Sequence, residues 1–202
     1  MKKGFNFKFS WGTILLLIVI IPVINLFLQM WEKDEGVIIW DIKSYYAYLP
    51  ATIIYNDLSL EFMDEDPDFF GKWIWPIETP TGKRCIVTSM GLSFLYSPFF
   101  LTSHAYASLS SKYEANGYTV PYHVGLIFSA FFYFILGMYY LRKVLKRFFS
   151  ENVTALTLFL VALGTNLFYY TTYEAPMAHC YSFALISIFF YFVIKWHDKK
   201  TI

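Results

Sequence analysis

The chain is 202 residues long, with 57% hydrophobic, 22% aromatic and 15% charged residues and a formal net charge of +1. An ordinary soluble domain has about 25% charged residues, so this composition excludes a typical soluble protein and predicts an integral membrane protein. No CxxC or histidine spacing accompanies the two cysteines, Cys85 and Cys180, so no zinc or redox motif and no cofactor are predicted, and a requirement for a divalent metal is left open. A disulfide between them would require an oxidising compartment, and nothing in the sequence brings the two together, so both are predicted to be free thiols. No nucleic-acid partner is expected.

The first apolar stretch follows a basic start. Residues 1–10 contain three lysines and no acidic residue, and Trp11–Met30 is a run of 20 residues without charge. Such a run is long enough to cross a hydrocarbon layer of about 30 Å. A secretory signal peptide is the alternative, but its apolar run is about 7–15 residues and ends at a small-residue cleavage site. That site is missing here, so we predict an uncleaved membrane anchor.

Residues 31–120 are the polar part of the chain, with twelve acidic and six basic residues. Within this segment, Gly91–Leu109 is apolar but is interrupted by Pro98 and by several hydroxyl side chains. We therefore predict that Gly91–Leu109 is an element at the membrane surface and not a span. A second surface element is predicted near Asp41–Tyr55.

Three further apolar runs follow, at Tyr122–Leu141, Val153–Thr171 and Met177–Ile194. Because Lys and Arg beside short loops stay in the cytoplasm, the basic clusters in 142–152 and 195–202 are expected on the same side as the N-terminus. This places ten of the sixteen cations inside. The sequence thus predicts one all-α membrane domain over residues 1–202, with four transmembrane helices at 11–30, 122–141, 153–171 and 177–194. A large outer loop at 31–120 contains interfacial amphipathic helices, and both termini are cytoplasmic.

The stretch Trp40–Pro50 stands out within the outer loop. It places Asp41 among four aromatic residues, and Trp and Tyr prefer the boundary between membrane and water. With Asp41 as the N-cap, an apolar face of one helix follows at spacings of three and four residues. The residues of that face are Ile42, Tyr45, Leu49 and Ile53. The pattern predicts an amphipathic interfacial helix with a carboxylate at its start.

Five side chains are candidates for chemistry at the outer membrane face. Asp41 could act as a general base, although an Asp at a helix start is often only a cap. Glu174 and His179 lie near the outer end of the last two spans, where an ionisable group is either functional or merely interfacial. Lys83 and Arg84, an adjacent basic pair in an acidic loop, could clamp a phosphate or could lie on a solvated surface.

Four stretches, in order along the chain, resemble a known family. They are WDIKSYYAYLPA (40–51), MGLSFLYSPFF (90–100), NGYTVPYHVGL (116–126) and GTNLFYYTTYEAPMAHCYSF (164–183). These stretches are similar to the protein mannosyltransferase-like membrane proteins of bacteria. An anchor followed by a large outer loop with an early acid also resembles the N-terminal module of the GT-C glycosyltransferases. The similarity runs from Trp11 to Lys195.

The resemblance implies a glycosyltransferase of the bacterial inner membrane, which moves a sugar from a polyprenyl-phosphate donor to an acceptor at the outer face. It implies that Asp41 is the catalytic base and that Lys83 or Arg84 meets the donor phosphate. Family members are longer and have more spans. The chain is therefore expected to be the N-terminal part of a longer enzyme, or to work with a further membrane subunit.

A non-catalytic membrane protein, such as an accessory subunit or a truncated relative, is the alternative function. A transporter is a weaker possibility, because the predicted spans hold almost no ionisable residues at mid-membrane depth.

Overall fold

The computed structural model describes residues 8–198. Within that range the chain forms eight α-helices and one antiparallel pair of short strands. The helices are α1 (Phe9–Leu28), α2 (Asp41–Ile53), α3 (Pro67–Trp73), α4 (Gly91–Leu109), α5 (Val120–Phe148), α6 (Glu151–Leu163), α7 (Tyr169–Thr172) and α8 (Ala178–Asp198). The strands are β1 (Pro76–Glu78) and β2 (Arg84–Ile86), which form a hairpin in which Ile77 faces Cys85.

Three helices of the described range, α1, α5 and α8, are long and apolar enough to cross a membrane. Large apolar side chains on these helices are exposed, among them Phe27 at 84% and Phe189 at 64%. Lipid tails are as apolar as these side chains, so such faces need no protein partner in a membrane. The chain is thus a helical protein suited to more than one membrane crossing. The helix α4 is not one of the three.

The predicted span Val153–Thr171 is interrupted. The helix α6 ends at Leu163, and residues 164–168 separate it from the short α7. With 13 residues, α6 is about 20 Å long, too short by itself for a hydrocarbon layer of about 30 Å. The prediction of four spans is therefore not confirmed.

Two compact units make up the described chain, where the sequence predicted a single domain. We call residues 8–28, 130–175 and 179–198 the helix unit, and residues 29–129 and 176–178 the loop unit. The helix unit holds α1, α6, α7 and most of α5 and α8. The loop unit holds the predicted outer loop and the start of α5. It forms a compact unit because its aromatic residues supply a core.

A polar network at the start of α1 ties the helices of the helix unit together. The carboxylate of Glu151 accepts hydrogen bonds from the N–H (2.9 Å) and the O–H of Ser10, and it pairs with Lys146 at 2.7 Å. The Nε of Arg142 donates to the same Ser10 hydroxyl at 2.7 Å. The network joins the start of α1, the end of α5 and the start of α6.

A second contact between α1 and the 151–172 segment lies further along both. Asn25, in the last turns of α1, is buried, and its Nδ2 donates to the carbonyl of Thr171 in α7 at 3.0 Å. Since Ser10 meets Glu151 and Asn25 meets Thr171, the segment 151–172 runs beside α1 in the same direction over most of its length.

The loop unit is built on α2, which lies against α4. Tyr46 is fully buried, with its ring edge-on to Phe100 and Tyr118, and its hydroxyl donates to the carbonyl of Gly117 at 2.5 Å. Gly117 has φ +93°, and a Cβ there would lie 3.0 Å from Pro50, so only glycine fits without strain. These contacts hold the middle and the second half of α2 in the core.

The burial of α2 does not follow the predicted apolar face. Eight of its thirteen residues are buried, including the polar residues Lys43 and Ser44, whereas Tyr45 and Ile53 of the predicted apolar face are only half-buried. The predicted N-cap is also wrong, because Trp40 is the N-cap and Asp41 lies in the first turn. Aromatic partners more than fifty residues away surround this helix, and local spacing cannot reveal them.

The close contact between α5 and α8 depends on Gly137. A Cβ at Gly137 would lie 2.5 Å from the ring of Phe183 and 3.0 Å from the Cα of Ala184. We expect Gly137→Ala to lower the unfolding temperature, since overpacking costs about 1–3 kcal/mol. Thermal unfolding of the purified chain in detergent measures this.

Gly71→Ala is the matched control, because no atom lies within 4 Å of a Cβ at that helical position. Alanine favours a helix over glycine by about 1 kcal/mol, so this variant should be as stable as the native chain or slightly more stable. An unfolding temperature of Gly137→Ala at or above the native value would contradict the close contact.

Candidate functional site

The start of α2 presents a carboxylate without a protein partner. Asp41 is exposed and makes no hydrogen bond or ion pair with any residue in the range 8–198. The preceding Trp40 has φ +49°, a conformation that a bulky residue rarely adopts. Strain of this kind persists where the surrounding structure imposes it, often at functional positions. The exposed carboxylate therefore lies at a constrained turn.

Lys43, in the first turn of α2, is a buried cation. Lys43 is only 8% exposed, and its Nζ lies 4.2 Å from the ring centre of Trp75. The ring of Trp75 meets that of Trp40 edge-on at 6.5 Å, and the two are 43% and 59% exposed. We call Trp40, Lys43 and Trp75 the tryptophan–lysine cluster. It combines a positive charge with two accessible aromatic rings.

Burial lowers the pKa of Lys43 below its ordinary value, because the charged ammonium loses hydration. Two neighbouring charges act in opposite directions: Glu35 raises the pKa of Lys43, and Lys72 lowers it. Lys72 itself donates to the carbonyl of Asp34 at 2.7 Å. No carboxylate lies within 4 Å of the Lys43 ammonium among the described residues, so this cation could accept an anionic ligand.

At the predicted phosphate clamp of Lys83 and Arg84, the guanidinium of Arg84 is already bonded to protein groups. Arg84 pairs with Asp64 at 2.6 Å and donates to the carbonyl of Leu60 at 3.1 Å. The pair lines an open cavity of about 330 Å³, together with Ser59, Glu61, Asp64, Glu78 and Gly82. Three acidic side chains offset the two cations there. The Asp64 pairing raises the pKa of Arg84 and leaves the cavity poorly suited to a phosphate.

The other two predicted site residues, Glu174 and His179, belong to the helix unit. Glu174 accepts a hydrogen bond from the Tyr169 hydroxyl at 3.0 Å. The ring of His179 stacks on that of Tyr170 at 3.7 Å, and the thiol of Cys180 donates to the Tyr170 carbonyl at 2.8 Å. These side chains form a small polar and aromatic group of their own around α7.

Cys85 and Cys180 are both free thiols, as the sequence predicted. Among residues 8–198, no group of three or more His, Cys, Asp or Glu side chains is arranged to hold a metal ion.

Comparison of the chain with protein-family models, with curated proteins and with solved structures finds no significant match.

The tryptophan–lysine cluster is a candidate site that sequence reasoning missed. Lys43 lies inside the WDIKSYYAYLPA stretch, but its importance depends on Trp75, which follows more than thirty residues later. The available signal was a lysine in the first turn of a helix otherwise rich in apolar and aromatic residues.

The environment of Lys43 predicts a measurable titration. The rate at which an amine reagent acetylates Lys43 in the intact chain, followed by mass spectrometry over a pH series, should have a midpoint below the ordinary 10.5. Glu35→Gln should lower this midpoint further, because it removes a charge that favours the ammonium. Lys72→Met should raise it, because it removes a repelling charge.

Glu32→Gln is the control for that titration, since Glu32 is an acid of the same segment that does not contribute to the Lys43 shift. A midpoint unaffected by both Glu35→Gln and Lys72→Met would contradict the charge arrangement around the cluster.

Proposed function

We propose that the chain is the catalytic N-terminal part of a membrane glycosyltransferase that uses a polyprenyl-phosphate sugar as donor. The observation that carries the proposal is the exposed carboxylate of Asp41 at the start of α2, which has no protein partner. Lys43 lies two residues further along, a spacing at which helical side chains do not face each other, so we assign it to donor binding and not to proton transfer. A base, a phosphate-binding charge and aromatic surfaces are the groups that such a reaction requires. The ordered resemblance of four stretches of the chain supports the same reaction.

In this proposal the Asp41 carboxylate takes the proton from an acceptor hydroxyl. The acceptor oxygen then forms a bond to the anomeric carbon of the sugar. The bond between that carbon and the phosphate oxygen breaks, and the electron pair leaves with the polyprenyl phosphate. An exposed position suits this role, because the base must reach an acceptor that arrives from solution.

The tryptophan–lysine cluster is the proposed donor site. The ammonium of Lys43 attracts the donor phosphate, and its burial strengthens that attraction because less water screens the charge. The exposed faces of Trp40 and Trp75 offer apolar surfaces for the sugar ring or for the first units of the lipid. Lys83 and Arg84 are less suited to the phosphate, since Asp64 already neutralises Arg84. The donor site proposed here uses only residues of the loop unit, and the binding role of Glu174 and His179, which belong to the helix unit, stays a prediction from the sequence.

We also propose four membrane crossings, with both termini in the cytoplasm and residues 31–120 outside, in the inner membrane of a bacterium. The fourth crossing is the segment 151–172. Its support is the pair of contacts to α1, Ser10 with Glu151 and Asn25 with Thr171, which lie near opposite ends of a helix long enough to span. A partner is expected to be a further membrane portion or subunit, which would complete the donor cavity.

The first prediction from this function concerns Asp41. Asp41→Asn in the complete enzyme should reduce sugar transfer by about 10²–10⁴-fold, because Asn keeps the size of the side chain but cannot accept the proton. Transfer of labelled sugar from a polyprenyl-phosphate donor, in membranes with matched protein levels, is the measurement.

The matched control is Asp68→Asn, since Asp68 is also an exposed acid in the first turn of a helix of the loop unit. It should keep nearly full activity. Full activity in Asp41→Asn would remove the base from the mechanism and favour the non-catalytic alternative. An equal fall of sugar transfer in Asp41→Asn and Asp68→Asn would indicate that transfer depends on the negative charge of the loop unit and not on a base at Asp41.

The second prediction concerns the crossing at 151–172. In a background with Cys85→Ser and Cys180→Ala, single cysteines at Ser150 and Tyr173 should react with a membrane-impermeant reagent from opposite sides. Ser150 directly precedes α6, and its side chain makes no capping hydrogen bond. Tyr173 directly follows α7, and 41% of it is exposed.

Glu65→Cys in the loop unit serves as the outside reference, since Glu65 is exposed. We expect Tyr173→Cys and Glu65→Cys to react from outside in intact cells, and Ser150→Cys only after the cells are opened. Reaction of Ser150→Cys and Tyr173→Cys from the same side would disprove the fourth crossing.

A further inference from the structure

Two lysines of the helix unit lie among tyrosine rings at the end of α5 and α8. The Nζ of Lys143 lies 4.3 Å from the ring centre of Tyr139, 5.5 Å from Tyr140 and 5.0 Å from Tyr191. The Nζ of Lys195 lies 5.3 Å from the same Tyr191. We call these five residues the lysine–tyrosine cluster. Tyr191 joins the two cations, which come from different helices.

The cations around this cluster differ in how their charge is balanced. Arg147 makes a two-point ion pair with Asp198, in which Nη2 and Oδ1 lie 2.6 Å apart, and Lys146 pairs with Glu151 at 2.7 Å. In the described part of the chain, no carboxylate lies within 4 Å of Lys143 or Lys195. Ring faces attract these ammonium groups but carry no net charge. The cluster therefore keeps two positive charges that its neighbours do not neutralise.

The position of the cluster identifies the class of ligand. Both α5 and α8 are long and apolar enough to cross a membrane. Lys195 lies in the last turn of α8, and Lys143 lies in the turn before the last turn of α5. Tyrosine rings favour the level of the lipid headgroups, and basic sites between transmembrane helices bind anionic headgroups. Lys143 is half-buried and Lys195 exposed, so an anion can approach between the two helices from the lipid side.

We propose that the lysine–tyrosine cluster binds the headgroup phosphate of an anionic membrane phospholipid. Lys143 and Lys195 supply the charge, and Tyr140 and Tyr191 form the wall between the helices. The site goes beyond the proposed sugar transfer and requires neither that activity nor a particular orientation in the membrane.

The experiment uses the full chain in detergent and measures lipid binding by native mass spectrometry. The probes are short-chain phosphatidylglycerol, short-chain phosphatidylcholine and inorganic phosphate. Each lysine near a lipid surface contributes a factor of about five in affinity. We therefore expect Lys195→Gln to raise the phosphatidylglycerol Kd about fivefold, and Lys143→Gln with Lys195→Gln to raise it about 30-fold.

Arg147→Gln is the matched control, because it removes a cation at the same end of the helix unit that is already paired with Asp198. It should change the Kd by less than about twofold. If the double variant aggregates, the phosphatidylglycerol Kd of Lys195→Gln alone tests the proposal, because Lys195 is exposed and its replacement should not disturb the fold.

Three results would overturn the proposal. Phosphatidylcholine that binds as tightly as phosphatidylglycerol would remove the charge requirement. A Kd that rises equally in Arg147→Gln would indicate diffuse attraction to a basic surface. Displacement of the lipid by an equal concentration of inorganic phosphate would assign the cluster to a soluble anion.

Discussion

The burial of α2 in an aromatic core is the constraint on which the candidate site depends. Tyr46, with no exposed surface, packs against Phe100 and Tyr118, and its hydroxyl is bonded to the Gly117 carbonyl. A buried tyrosine keeps its place because its ring fills space and its hydroxyl would be costly to leave unpaired. Since α2 cannot rotate or slide without breaking this bond, the first turn of the helix is held in place.

A histidine positions the chain just before that turn. His123 is buried, with its Nδ1 accepting from the Val37 N–H at 3.1 Å and its Nε2 bonded to the Tyr118 carbonyl at 2.9 Å. Both ring nitrogens are thus used, which identifies the neutral form with the proton on Nε2. Gly36 lies so close that a Cβ would be 2.3 Å from the imidazole ring. This histidine therefore supports the structure and is not available for proton transfer.

The two units use their charges in different ways. In the helix unit, Glu151, Lys146 and Arg142 gather around Ser10, so polar groups join helices that otherwise contact through apolar surfaces. Lipid provides no hydrophobic driving force between helices, and close packing and hydrogen bonds decide which faces meet. In the loop unit, Arg84 is paired at the hairpin, whereas Lys43 lies against a tryptophan. The availability of a cation thus depends on its neighbours and not on its residue type.

Composition and hydrophobic patterning alone predicted a helical protein with apolar runs long enough to cross a membrane. They located α1 and α8 to within four residues at each end, whereas α5 continues to Phe148, seven residues beyond the predicted end at Leu141. These features are local, because an apolar run must be long enough to cross lipid whatever surrounds it. The break after Leu163 also has a local sign, Gly164 followed by Thr165 and Asn166, but one polar interruption does not show where the chain goes next.

Only the tertiary structure decided which side chains of the candidate site are free. Arg84 is neutralised by Asp64, which is twenty residues away, and Lys43 is covered by Trp75, which is thirty-two residues away. Asp41 lost its predicted role as a cap because the strained backbone of Trp40 occupies that position. Ion pairs and burial depend on which segments meet in space, and a single sequence does not contain those distances.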